Sequence, residues 1–302
     1  MHMSDEQLRT RTRRLSVFAQ RRPISMFLIL VFGVGWPILA IPVLADRGLV
    51  SGRQVPVEFF ALGVTWFVLL PAALWVTAVS DGRRAARTLL GRAFRWRLGA
   101  WWAVVLLALP VVTIVVGLVL GGSLAGGGVL SVVLRGGMSL IAAVLLIHLW
   151  EETVWAGFLQ TRLERRHSLT VAALIAAVPF AAIHMPLLLI GETSGSGLLI
   201  GVAKLLALAV GMRLMVGVFL RATGSLLAVG LLHGVYNASN NAGGLIDGLL
   251  EGADQNLAAP IALVVVTALA AGYLHSRPRL SQLHSRRSNP QQPSSIPQGG
   301  TR

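Results

Sequence analysis

Apolar residues fall in blocks of about twenty along this chain, separated by short polar stretches, from Ile24 to Leu274. A hydrocarbon core about 30 Å thick is crossed by roughly 20 apolar residues at 1.5 Å each. Eight blocks meet that requirement: Ser25–Ala45, Val57–Val79, Ala100–Gly121, Gly136–Gln160, Leu169–Ile190, Gly197–Leu220, Ser225–Ala242 and Leu257–Leu274. They predict helices, because an unpaired backbone amide in lipid costs several kcal/mol. The weak alternation of a membrane β-barrel is absent from them. The expected fold class is therefore all-α, a polytopic membrane helix bundle of about eight transmembrane helices. The first block is longer than a signal-peptide core and no small-residue cleavage site follows it, so it reads as a retained span.

Arginine placement orients the bundle. Six arginines lie before the first block, six in the second loop, three in the fourth, one in the sixth and five after the last block. Only Arg47, Arg53 and Arg135 fall in the odd-numbered loops. Basic residues concentrate in cytoplasmic loops, so this count places both termini in the cytoplasm. Asp247, Glu251 and Asp254 then fall on the opposite side, in the last external loop.

Composition agrees with lipid as the solvent. The chain is 55% hydrophobic and 13% charged, about half the charged fraction of a soluble domain, and its mean hydropathy is +0.72. The net charge of +14 is accounted for by the topology arginines. No basic surface interleaved with aromatic residues, of the kind that stacks bases, accompanies it, so no nucleic-acid partner is expected. The absence of cysteine excludes disulfides, thiolate zinc sites and cysteine nucleophiles. Gly121–Gly137 is a glycine-rich connection, and no internal repeat of the inverted-transporter kind is evident.

Against this background the ionisable residues inside the blocks stand out, since each costs about 2.5–3.5 kcal/mol on insertion scales. They are His148, Glu151, Glu152, His184, Lys204, Arg213 and His233, with the polar Asn237 beside them. Two adjacent carboxylates in lipid repel each other, so at least one should keep its proton or find a cationic partner. A carboxylate poised in this way serves as a general base, whereas an ion pair with Arg213 or Lys204 would make the pair a packing device. His148 lies three and four residues before the pair, on its face. Pro186 cannot donate a helical hydrogen bond, which frees a carbonyl near residue 182 beside His184. His233 and Asn237 are four apart and share a face, and Gly234 between them allows close helix approach. Interhelical hydrogen bonding alone, averaging about 0.6 kcal/mol per bond, is a poor return for so many polar groups. Three helices carrying them at similar depth predict one shared cavity.

These residues carry a resemblance. Glu151-Glu152 followed by Trp155, Gly157 and Phe158, then Phe180 and His184, then His233 and Asn237, resembles the CPBP family, whose pattern is EExxxR, FxxxH and HxxxN. That family includes CAAX prenyl endopeptidases of the Rce1 type and proteins of bacteriocin processing and self-immunity. The resemblance divides the chain into a basic cytoplasmic tail (1–23), three transmembrane helices (24–135), a CPBP-like catalytic core (136–242), an external loop with the last helix (243–275), and a tail (276–302) too poor in apolar residues to fold. One position departs from the pattern: Ala156 stands where the family has arginine, with Arg162 and Arg213 as candidates to replace it.

What the resemblance implies is an intramembrane endopeptidase acting on a membrane-associated protein or peptide, prenylated or not, in a bacterial plasma membrane. Glu151 would activate the attacking water, His184 would help hold it, His233 and Asn237 would donate to the oxyanion, and Glu152 would support Glu151. A zinc version would use Glu151, His184 and His233 as ligands, leaving a fourth position for water; the metal-free version needs no cofactor. A proton-coupled transporter or a non-catalytic immunity or scaffold protein remains the alternative, since intramembrane Glu and His also serve those.

Overall fold

The computed structural model describes residues 5–50, 55–125, 128–191, 195–240, 244–246, 249–252 and 255–288. Asp247, Asp254 and residues 289–302, to which the sequence assigns an external charge and part of the tail, lie outside these. Among the described residues there are ten helices: α1 (Asp5–Arg21), α2 (Pro23–Asp46), α3 (Val57–Ser80), α4 (Arg83–Ala93), α5 (Trp101–Val119), α6 (Val129–Leu163), α7 (Leu169–Leu189), α8 (Gly195–Thr223), α9 (Leu226–Asn240) and α10 (Gln255–Ser288). Two short strands, β1 (Ser123–Leu124) and β2 (Leu250–Glu251), pair antiparallel. The all-helical membrane bundle expected from the sequence is what forms. Among the described residues, seven helices are long and apolar enough to cross a membrane. Large apolar side chains such as Phe67, Leu130 and Val264 face outward, as a lipid-solvated surface requires.

The eighth expected span is α9, and it differs from the others. It has only 15 residues and most of its length is buried. Its two ends are nevertheless tied to the two ends of α5. Ser225, just before α9, donates from Oγ to the carbonyl of Arg95 at 2.5 Å, close to the start of α5. Beyond its other end, Leu250 pairs with Leu124, which follows α5. The short helix thus packs beside its 19-residue neighbour, with most of its surface covered by protein.

One segment read as a connection is a helix. Residues 83–93 form α4, which turns Arg83, Arg84 and Arg87 outward and buries Leu89 and Ala93, the pattern of a helix lying at a membrane boundary. At the other end of the chain the backbone of α10 continues as helix to Ser288, past the expected end of the last span at Leu274.

Neither α3 nor α6 is a regular α-helix throughout. Thr65–Leu69 in α3, and Val144–His148 and Thr153–Gln160 in α6, form π turns with i→i+5 bonding. The two in α6 flank Glu151-Glu152 directly. Such turns cluster at functional sites. Side chains take up carbonyls in these stretches: Trp150 Nε1 bonds Leu145 O at 2.8 Å, Trp66 Nε1 bonds Leu146 O at 2.7 Å, and Thr161 Oγ1 bonds Ala156 O at 2.8 Å.

The carbonyl freed by Pro186 has a similar fate. The chain tightens into a 3₁₀ turn at Met185–Leu189, and Trp36 of α2 donates its indole N–H to Ala182 O at 2.9 Å. The Met185 amide also reaches this oxygen. Trp36→Phe keeps the ring and removes the donor, so it should cost about 0.5–1 kcal/mol in thermal unfolding of the detergent-solubilised protein. A midpoint equal to that of the wild type would show that the bond adds nothing.

Candidate active site

Glu151 and Glu152 sit between the two π turns of α6, and both are buried. Their partners differ. Glu152 has no exposure and is fully engaged. Arg213 of α8 grips it with two N–H groups, Nη1 to Oε2 at 2.9 Å and Nη2 to Oε1. His233 of α9 donates from Nδ1 to Oε1 at 2.9 Å. The Arg213 guanidinium lies 4.3 Å from the centre of the Phe180 ring, a cation–π contact. Glu151 has only His148, whose Nδ1 stands 3.5 Å from Oε2, too far for a good hydrogen bond. The pair is thus divided into one charge-neutralised carboxylate and one available carboxylate.

The histidines complete the arrangement. His148 and His233 are stacked with ring centres 4.3 Å apart, and Asn237 Nδ2 lies 3.3 Å from His148 Nε2. One ligand atom from each of His148, Glu151 and His233 falls within 4.8 Å of the others. This is the group able to hold a metal among the described residues, with His148 where the sequence suggested His184. His233 is anchored through its second nitrogen to Glu152 as metal-bound histidines usually are, and two imidazoles with a carboxylate are a donor set that fits zinc; His148 Nε2 would then need Asn237 Oδ1 turned toward it in place of Nδ2.

His184 stands on another side of Glu151. Its Nδ1 donates to Phe180 O at 2.7 Å, which leaves Nε2 as an acceptor. A cavity of about 20 Å³ is lined by Glu151, His184 and Thr65, with apolar walls from Leu39, Val64, Leu69, Ile183 and Leu187. That volume accommodates a single water molecule. Thr65 also lines it, and its buried Oγ1 has no hydrogen-bond partner among the described residues. Thr65 leaves no mark at the level of sequence, because a threonine in a span is ordinary; its position in a π turn beside the cavity is what distinguishes it.

Two glycines bring α9 against α6. A Cβ at Gly234 would fall 2.6 Å from Val144 Cγ2, and one at Gly230 would fall 2.8 Å from Leu149 Cα. The approach expected at Gly234 is present, and that at Gly230 is closer to backbone. Ala156 is wholly buried. Of the two arginines considered in its place, Arg162 turns to Asp81 at 2.6 Å, at the end of α3, and Arg213 reaches Glu152. Lys204 is exposed and takes no part.

These two glutamates, the Phe180/His184 pair and the His233/Asn237 pair all fall within a family match over residues 135–239, to the model described as type II CAAX prenyl endopeptidase Rce1-like. Residues 135–239 carry an Rce1-like domain. The domain takes in α6 from Arg135, all of α7 and α8, and nearly all of α9, about a third of the chain. Every residue of the network above except Thr65 belongs to it. No curated protein matches the chain.

Proposed function

We propose that the Rce1-like domain hydrolyses a peptide bond of a membrane-associated protein or peptide, with Glu151 as the general base. The observation that carries this is the unequal pairing of the two glutamates. Arg213 and His233 occupy Glu152, while Glu151 borders a water-sized cavity. A water there would give one proton to Glu151 and hydrogen-bond through the other to the bare Nε2 of His184. Thr65 Oγ1 supplies a third contact, the usual number for a buried water. Its oxygen attacks the scissile carbonyl, and Glu151 then returns the proton to the leaving amine.

His233, held by Glu152, would donate from Nε2 to the developing oxyanion in its protonated form. Asn237 fixes the ring of His148 and is close enough to share that task. Arg213 would take over from another helix the duty that the family's arginine performs at the position of Ala156. If zinc is bound, His148, Glu151 and His233 would hold it, and it would supply Lewis-acid activation of the water. The two versions differ in the His148 tautomer: a ligand Nδ1 must be bare, whereas the metal-free network places its proton toward Glu151. Sidedness follows the arginines, with both termini cytoplasmic.

The test is cleavage of membrane-associated peptides by protein in proteoliposomes, comparing wild type with Glu151→Ala and His184→Ala, alongside metal content and chelator sensitivity. Glu151→Ala should abolish turnover and His184→Ala should reduce it about 10²–10⁴-fold. Cleavage that survives both substitutions would sink the proposal. Proton-coupled uptake lost on the same substitutions would point to transport instead.

A further inference from the structure

A second concavity lies at the end of the bundle where α2 begins and α3 and α6 finish. Its volume is about 520 Å³, and it is lined by Arg21, Arg22, Pro23, Ile24, Ser25, Asp81, Arg162, Leu163, Arg165, Arg166 and His167. Five arginines thus meet one carboxylate. That carboxylate is already committed, since Asp81 Oδ2 lies 2.6 Å from Arg162 Nη2 and 3.6 Å from Arg165 Nη2. Arg21, Arg22 and Arg166 have no carboxylate partner among the described residues. Topology alone asks only that basic residues lie on one side of the membrane. It does not ask that arginines 140 positions apart in sequence face one hollow, where their charges repel.

The wall on one side is fixed. Arg162 is about nine-tenths buried and is held through Nη2 by Asp81, Thr77 and Ser80, so it commits the one carboxylate and leaves the outer arginines uncompensated. Guanidinium groups around a concave wall suit the planar, two-pronged recognition of phosphate oxygens. Glu151 lies eleven residues before Arg162, about 16 Å along α6, so this hollow is separate from the peptidase cavity.

We propose that this pocket binds a phosphate-bearing anion at the membrane boundary, either the headgroup of an anionic phospholipid or a free phosphate. The spans that frame it place it at headgroup depth, and anionic lipid attracts basic residues near the surface by an amount that corresponds to about fivefold in affinity per residue.

The experiment uses the full chain in neutral detergent, titrated separately with dioleoylphosphatidylglycerol, dioleoylphosphatidylcholine and inorganic phosphate. Binding is read by native mass spectrometry and by the unfolding midpoint. Three proteins are compared: wild type, Arg22→Ala/Arg166→Ala, and Arg83→Ala/Arg87→Ala. The last removes the same charge from exposed positions of α4, outside the pocket. Phosphatidylglycerol that binds the wild type and the α4 variant alike, but the pocket variant on the order of tenfold or more weakly, identifies a lipid headgroup site. The same ranking with inorganic phosphate identifies a soluble anion. Equal loss in both variants would reduce the pocket to general surface charge and overturn the proposal, as would the absence of binding by either anion or equal binding of phosphatidylcholine.

Discussion

Replacing Arg213 with alanine is expected to lower the stability of the bundle by about 3–5 kcal/mol. Arg213 has no exposed surface, and both its terminal nitrogens are on Glu152. Removing it leaves a carboxylate in the protein interior with only His233 as a partner. It also strips the face of Phe180 of its cation. Glu152→Gln in the same background should recover much of the loss, because the amide carries no charge yet still accepts a hydrogen bond from His233. Thermal unfolding of the two single variants and the double variant gives the coupling directly. A cost below about 1 kcal/mol for Arg213→Ala, or no recovery in the double variant, would show that the pair does not hold α6 to α8. Peptide cleavage should fall with Arg213→Ala, since His233 loses the fixed carboxylate that orients it.

Gly230→Ala should also destabilise the bundle, by less than Arg213→Ala but by more than Gly234→Ala one turn further along. An added Cβ at Gly230 meets Leu149 Cα at 2.8 Å and Leu149 N at 3.1 Å. Backbone atoms in mid-helix have nowhere to go, so α9 must move off α6. At Gly234 the close atoms are all in side chains, Val144 Cγ2 at 2.6 Å, Leu140 Cδ1 at 3.0 Å and His148 Cδ2 at 3.2 Å, which give more readily than backbone. Overpacking of the first kind costs about 1–3 kcal/mol, and alanine returns up to about 1 kcal/mol of that through helix propensity. The displacement also pulls His233 from Glu152 and Asn237 from His148, so Gly230→Ala should lose cleavage even where the protein still folds. Similar unfolding midpoints and similar activities for the two variants would refute the close approach at Gly230.

Much of this was legible before any coordinates because lipid is an unforgiving solvent. An ionisable side chain in a span is expensive enough to be a signal by itself, which is why Glu151, Glu152, His184, His233 and Asn237 were visible. Spans announce themselves by length, and six of the eight expected blocks lie within single long helices much as drawn; Gly136–Gln160 became the 35-residue α6 and Ser225–Ala242 the shorter α9. What stayed hidden depends on the third dimension. His148 and Arg213 were noted as polar residues on spans, but which carboxylate each would meet is decided by helix rotation and crossing. The π turns leave no compositional trace, since the same apolar residues serve either kind of turn. Thr65 and the arginine hollow depend on segments far apart in sequence, the latter on residues 21–25 and 162–167. Arginine counts predict the side of a membrane and are blind to concavity.

The wide turns on either side of Glu151-Glu152 also bear on how such a helix changes by insertion and deletion. Each turn holds one residue more than an α-turn, so each is a place where the chain can lose a residue and still run as an unbroken helix. Deleting one position within Val144–His148 would close that turn to an α-turn and leave the glutamates facing as before, because the turn still completes one revolution with one residue fewer. Deleting one within Thr153–Gln160 would likewise keep Arg162 toward Asp81, whereas the same loss in a regular stretch of helix would swing everything beyond it by about 100°. The helix therefore carries a place on each side of its chemistry where a single codon can be lost without turning it.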